Sequence, residues 1–464
     1  MTIFLPHWPK DFTQRIEQQF PKDTDAFLTS LENKPRTSIR INPNKFNLSF
    51  QLETVPWSKY AYFLNQRPNF ALDPLWHAGA YYVQEASSMF LEQALKFIHI
   101  DSPKSVLDLC AAPGGKSTHL NSLIKPDDLL LSNELIRSRA SILYENLTKW
   151  GYHNHMISNN DPKQFGELGA LFDVVLIDAP CSGEGLFRRD AKAAEEWSIE
   201  NTKLCAVRQR RIFADSLNCL KEGGYLVYST CTFNPSENEE NLAWLSQHQG
   251  FESIQIPIDK SWGVDEVTHN GLYGYRFLPH KVTGEGFFIS LLRKTEGTQN
   301  VKFPKKLRSI FQKTKIAPTD WLKTTDDKII YHHKEQIKFA PKNWEKEISY
   351  LQQKLNLIKI GNSFAEQRKN SFSPTADLAF STALNKNAFD CRILSQEDCL
   401  NFLARENFNR NNDNKKSWEL ICFQNIPLGF IKEIGNRYNN YYPKEWRLRT
   451  TNREDLMLWY KPEK

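Results

Sequence analysis

Val106-Leu107-Asp108-Leu109-Cys110-Ala111-Ala112-Pro113-Gly114-Gly115-Lys116-Ser117-Thr118 passes from a strand-forming run, through a turn of small residues, into the polar opening of a helix. Small side chains let the backbone approach a ligand closely, and the free N–H groups of a helix start receive an anion such as a carboxylate. The turn is not the Gly-x-Gly-x-x-Gly of nicotinamide dinucleotide sites. Gly115-Lys116-Ser117 also lacks the upstream glycine spacing of a phosphate loop. A different nucleoside-bearing cofactor is expected, and S-adenosylmethionine is the candidate.

Working outward, strand-like runs alternate with helical stretches: Ser105 to Leu109, Leu129 to Ser132, Asp173 to Asp178, Gly224 to Ser229 and Gly286 to Leu292. That alternation predicts a doubly wound α/β sheet, whose ligands sit beyond the carboxyl ends of the strands. Glu134, after the second run, is where such a sheet supplies a carboxylate to ribose hydroxyls. Asn160-Asp161 is then placed for the adenine ring, and Asp178 closes the pocket. Cys181 and Cys231 each follow a buried strand-like run, Val174 to Ile177 and Tyr225 to Tyr228, so both thiols are expected to face one pocket.

At 464 residues the chain exceeds one ordinary core, and several modules are expected. A small α/β module with two short helices and an extended Ser38 to Asn42 occupies residues 1–75, the sheet domain 76–295, a Lys-rich connecting module 296–370, and a β-rich terminal region 371–464. The net charge of +6 is small for this length, so local basic clusters matter more than the total. Eight cysteines (110, 181, 205, 219, 231, 391, 399 and 422) without Cys-x-x-Cys pairs argue against a zinc site or a disulfide framework. The histidine pairs His153/His155 and His332/His333 lack partner ligands, and no metal is expected. There is no apolar stretch of membrane-spanning length and no signal core at Met1 to Lys10, so a cytoplasmic, monomeric protein without membrane contact is expected.

Four blocks carry a family resemblance: Tyr81 to Met89, Asp108 to Lys116, Asp178 to Gly185, and Ser229 to Asn238. Together they resemble the Nol/Nop/Sun family of RNA cytosine-5 methyltransferases over roughly residues 35 to 295. Gly435 to Arg449 and Pro374 to Leu384 are similar to the bacterial F-type subfamily that acts on small-subunit (16S) ribosomal RNA. The resemblance implies a Rossmann-like class I methyltransferase sheet and a PUA-like RNA-binding region at the end of the chain. It further implies that Cys110, Ala111, Ala112, Pro113, Gly114, Gly115, Lys116, Glu134, Asp161 and Asp178 bind S-adenosylmethionine. Cys231 is then the nucleophile, Cys181 assists product release, and Asp178 touches both base and cofactor. The target expected from the resemblance lies in the decoding region of 16S rRNA.

Candidate RNA contacts are Arg40, Lys45, Arg188-Arg189, the Lys302 to Lys315 cluster and the Arg437 to Arg449 segment, with Tyr438, Tyr441, Tyr442 and Trp446 available for stacking. For these aromatics, domain core is an equal reading. Two alternatives stand beside rRNA methylation: a tRNA substrate, and a ribosome-assembly factor that binds RNA without turnover.

Overall fold

Each of the apolar runs becomes a strand of one ten-stranded sheet in the computed structural model. The structure describes residues 8–101, 104–297, 301–314, 316–369, 371–409, 417–435, 437–450, 452–453 and 457–460. Within this sheet the strands are β1 (Ser105–Asp108), β2 (Leu129–Asn133), β3 (His155–Ser158), β4 (Phe172–Asp178), β5 (Leu220–Thr230), β6 (Phe251–Ser253), β7 (Asp265–His269), β8 (Leu272–Phe277), β9 (Phe287–Lys294) and β10 (Leu357–Ile360). Their order is β7-β8-β9-β5-β4-β1-β2-β3-β10, with β6 beside β9. Strands β3, β2, β1, β4 and β5 are mutually parallel, whereas β9 runs antiparallel to β5.

This is a doubly wound α/β sheet, and alternate residues explain why its strands read as continuous apolar runs. Leu107, Leu131, Val175 and Leu226 enter the core on one face. Val106, Leu130, Val174 and Val227 enter the core on the other. With both faces covered, the middle of each strand is apolar, and polar residues such as Asp108, Asn133, Ser158 and Thr230 gather at the carboxyl ends. Helices α1 (Gly115–Leu123), α2 (Arg137–Trp150) and α3 (Ile199–Ser216) follow β1, β2 and β4. The strand order reverses between β1 and β4, which is where such sheets open a ligand crevice.

Two boundaries differ from the sequence reading. Tyr81–Val83 pairs antiparallel with Ser38–Ile41, so the N-terminal module extends past the expected limit at 75. Ser371–Pro374 pairs with Asn362–Arg368, so the limit at 370 divides a hairpin. The Lys-rich segment is more than a connection: it carries a five-stranded antiparallel sheet and a helix (Glu345–Lys354), and lends β10 to the edge of the main sheet against β3. Lys302, Lys305, Lys306, Lys323, Lys334, Lys342 and Lys354 sit on solvated faces, whereas Lys328 and Lys359 are buried along with Ile329, Tyr331, Ile337 and Phe339.

The C-terminal sheet (Asp390–Ile393, Trp418–Phe423, Ile426–Glu433, Tyr438–Asn440) shares one apolar core with the N-terminal module, where Ile39, Leu75 and Tyr81 meet Leu400, Phe402 and Tyr442. A buried carboxylate clasps the two ends: Asp73 accepts hydroxyls from Tyr81 at 2.5 Å and Tyr460 at 2.6 Å. Burial pushes the Asp73 carboxyl up to about 6, against these hydrogen bonds.

Candidate active site

The parallel pairing of β4 with β5 sets Asp178 opposite Ser229, so the loops leaving the two strands start side by side. Ala179 N–H donates to the Ser229 carbonyl at 2.9 Å, and Gly185 N–H to the Cys231 carbonyl at 2.8 Å. Only glycine fits at 185, because an added Cβ would lie 2.4 Å from the Gly286 carbonyl oxygen and 2.9 Å from that of Cys231. The loops bring Cys181 Sγ within 3.0 Å of Cys231 Sγ, and the Cys231 N–H donates to Cys181 Sγ at 3.3 Å. The hydrogen bond to Cys231, then burial, push the Cys181 thiol well above its ordinary range. Of the pair, Cys181 is held as a thiol.

Behind the thiols, Glu237 ties the two loops together. Its carboxylate accepts from Ser182 N–H at 2.9 Å, Ser182 Oγ at 2.5 Å and Gln209 Nε2 at 3.0 Å, and Gln209 also donates to the Pro180 carbonyl. Burial pushes Glu237 up to about 7 despite these donors. A second buried acid, Glu184, accepts from Phe233 N–H and Trp197 Nε1 and pairs with Arg15 of the N-terminal helix Lys10–Gln19 at 2.7 Å. Gln19 on that helix donates to the Phe233 carbonyl at 2.9 Å. The N-terminal module thus braces both cysteine loops.

The thiols stand at a cavity of about 660 Å³ at the carboxyl ends of β1, β2, β4 and β5. Cys110, Ala112, Glu134, Asp161, Asp178, Cys181 and Cys231 all line it, which brings seven of the expected residues together. The rest of the turn lies behind. Ala111 is buried in the core against Leu143 and Leu147, Gly114 takes the left-handed φ of +114° that starts α1, and Gly115 packs toward Tyr82. Pro113 lends its carbonyl to Asn146, and Lys116 Nζ pairs with Asp178 Oδ2 at 2.8 Å. Burial works against the Lys116 charge, but Asp178, Cys231 and Asp108 outweigh it and hold the ammonium above its usual value. The Cys110 thiol is pushed up by burial and the neighbouring acids, which leaves it a packing role. Asp161 also caps the short helix Pro162–Gly166 through Lys163 N–H, and Glu134 accepts from Ile136 N–H at 2.9 Å.

S-adenosylmethionine, which carries a sulfonium and an ammonium, fits this donor set. Carboxylates of Glu134, Asp161 and Asp178 line the cavity, and Asp108 stands behind them with Oδ1 buried and unpaired. Burial pushes Asp108 up to about 7, Asp178 adds to the rise, and a hydrogen bond from Ser117 opposes it. An arriving cation favours ionised Asp108, so binding releases a proton and affinity rises with pH up to about 7. Calorimetry in buffers of different ionisation enthalpy should find up to about 0.5 proton released per S-adenosylmethionine at pH 7. The release should be smaller with S-adenosylhomocysteine, which lacks the sulfonium charge, and lost in Asp108→Asn.

The structure adds residues that sequence reading missed and withdraws others. Arg208 and Arg211, on α3, line the cavity mouth beside Leu186. Their only signal was the basic run Arg208-Gln209-Arg210-Arg211. Glu237 sits inside a recognised block but gave no sign of its bridging role. Arg40 is 1% exposed and donates to Gln84 and Thr118, while Lys45 Nζ donates to the Ala78 and Lys149 carbonyls. Both are interior contacts rather than RNA contacts. Arg188 donates to the Asn33 and Gly284 carbonyls, and Arg189 pairs with Glu285. Tyr442 is core, Tyr438 packs on Phe408 and Tyr441 on Trp418, so these rings are not an open stacking platform. Lys302, Lys305, Lys306 and Arg308 are exposed; Lys315, Asn436 and the Lys313 side chain lie outside the described residues. Among the described residues no three His, Cys, Asp or Glu side chains gather as a metal site, and no helix is long and apolar enough to cross a membrane.

Comparison with known proteins converges on one group. The model for 16S rRNA methyltransferase RsmB/F matches residues 96–293, that for the N-terminal domain of 16S rRNA methyltransferase RsmF residues 8–86, and that for the methyltransferase RsmF PUA domain residues 393–448. Ribosomal RNA small subunit methyltransferase F of Erwinia tasmaniensis is 30% identical over 472 residues, covering 94% of this chain and 96% of its own. The protein of that name from Enterobacter sp. strain 638 is 29% identical, covering 94% and 95%. Among solved structures, a methyltransferase homolog protein from Pyrococcus horikoshii superimposes with a TM-score of 0.53 at 28% identity, covering 62% of this chain and 96% of its own. With 94% of the chain matched at 30% identity, the chain belongs to the 16S rRNA methyltransferase RsmB/F family, whose methyl donor is S-adenosylmethionine.

Proposed function

We propose that this rRNA methyltransferase acts on carbon 5 of cytosine in the decoding region of 16S rRNA, through a covalent adduct at Cys231. The observation that carries this reading is the pair of sulfurs 3.0 Å apart at the mouth of a cavity also lined by Asp178. Carbon 5 of cytosine is a weak nucleophile. Adding the Cys231 thiolate to carbon 6 raises its electron density and splits one hard step into two easier ones. When bound, S-adenosylmethionine supplies an electrophilic methyl group.

Asp178 holds both oxygens in fixed directions, Oδ1 by Ser229 Oγ at 2.8 Å and Oδ2 by Lys116. Its side chain is 36% exposed toward the cavity, in position to accept a hydrogen bond from the exocyclic amino group of the base. After methylation a base takes the carbon 5 proton, the freed electron pair re-forms the carbon 5–carbon 6 double bond, and the carbon 6–sulfur bond breaks to return Cys231 as thiolate. Cys181, held as a thiol 3.0 Å away, assists this release by donating a hydrogen bond to the departing sulfur.

Bisulfite sequencing of 16S rRNA and tRNA from cells with and without the protein tests the reading. At least one protected 16S cytosine should become convertible in the knockout; a change confined to tRNA would overturn the assignment. Arg208 and Arg211 are placed to meet phosphates beside a base turned out toward Cys231. Arg208→Ala/Arg211→Ala should lower the slope of log K for RNA against log salt by about 2 and raise KM with kcat little changed.

A further inference from the structure

Beside the catalytic cavity lies a second one of about 550 Å³, closed by three parts of the chain that are remote in sequence. Arg137, Ser141 and Tyr144 come from α2, Asn356 from the approach to β10, and Trp446 from the C-terminal region. Glu445 and Asn159 complete its polar wall. The two cavities border the same stretch of chain, since Glu134 to Ile136 line the first and Arg137 lines the second.

The walls are held rather than loosely apposed. Asn159 Nδ2 donates to the Glu134 and Leu135 carbonyls at 2.7 and 2.8 Å, and its N–H donates to the Asn356 carbonyl at 3.1 Å. Asn356 N–H in turn donates to Asn160 Oδ1 at 3.0 Å. Trp446 is half-buried, packed against Phe380 with ring centroids 6.0 Å apart, and Tyr144 lies beneath the Lys359 ammonium. Two aromatic side chains are therefore fixed by the core while still bordering open space.

This combination matches a nucleotide better than a plain phosphate. Two rings offer stacking surfaces, amide and carboxylate groups can read a base edge, and Arg137 supplies a single cation for one phosphate. Glu445 would repel a second phosphate but accept hydrogen bonds from an exocyclic amino group. The volume lies within the range of small-ligand sites. We propose that this cleft is a second nucleotide-binding site, holding an amino-bearing base of the substrate RNA that flanks the target nucleotide. The proposal rests on RNA being the substrate, but not on cytosine-5 chemistry.

Equilibrium binding of 16S rRNA to the full chain, read by filter retention without methyl donor, is independent of the methyl-transfer step. Trp446→Ala should weaken binding about 10-fold, the loss of one stacked base, while Trp446→Phe stays within about twofold of the parent. Because Trp446 also packs on Phe380, Ser141→Leu gives a second route: Ser141 is exposed, and leucine fills the cleft without changing charge or core. It too should weaken RNA binding several-fold, with S-adenosylmethionine affinity unchanged. If Ser141→Leu binds RNA like the parent, or if Trp446→Phe loses as much as Trp446→Ala, the cleft holds no base. Failure of the cytosine-5 reading would instead show as absent 5-methylcytosine with these binding differences intact.

Discussion

Cys231→Ala should lower methyl transfer to 16S rRNA by on the order of 10⁴-fold or more, since removing the proposed nucleophile forfeits the covalent route and leaves only binding and orientation. S-adenosylmethionine affinity should stay within about twofold of the parent, because the cavity carboxylates Glu134, Asp161 and Asp178 are untouched. RNA binding should persist as well, since Arg208 and Arg211 remain at the mouth. The measurement is label transfer from S-adenosylmethionine under single turnover, beside calorimetric binding of the donor. A variant that retained even a tenth of parental activity would leave Cys231 no nucleophilic role.

Cys181→Ala should give the opposite signature, a protein–RNA adduct that survives denaturing electrophoresis and accumulates during turnover. The thiol that stands 3.0 Å from Cys231 is gone, so addition and methylation proceed while release stalls. The adduct should require both RNA and methyl donor, contain the methyl label, and disappear in Cys181→Ala/Cys231→Ala. Steady-state product should fall by about 10²–10⁴-fold, the range of a lost acid–base group, whereas the first turnover should still label RNA. If the adduct forms in Cys231→Ala and not in Cys181→Ala, the two cysteines exchange roles. If neither variant loses activity, no covalent route operates.

The parts of the fold that could be read from sequence are those where local pattern and burial coincide. Leu129 to Asn133 and Val174 to Ile177 are buried on both faces, so their apolar runs name the strands, and the acid or thiol that follows each run falls on the crevice. The edge strand Leu357–Ile360 could not be read this way. Its pairing with Met156 to Ser158 spans about two hundred residues, and Lys359, which the sequence suggests is solvated, is 2% exposed and paired with Asp377. Arg40 misled for the same reason: charge marks a residue as exposed until a neighbouring module covers it. Glu237 was invisible because a carboxylate that bridges two loops has no spacing rule, only a position in space.

The carboxylate clasp at Asp73 bears on how the chain is made. Asp73 and the hydroxyl of Tyr460 are 387 positions apart. At ribosomal rates of about 5–20 residues per second, the N-terminal module emerges about 20–80 s before the tyrosine that completes it. Its apolar face toward Leu400 and Phe402 stays uncovered for that interval, and the brace it provides at Glu184 has nothing to grip until the middle of the chain follows. Synthesis therefore delivers the N-terminal module as an unfinished half, sealed only after the segment around Tyr460 has left the ribosome.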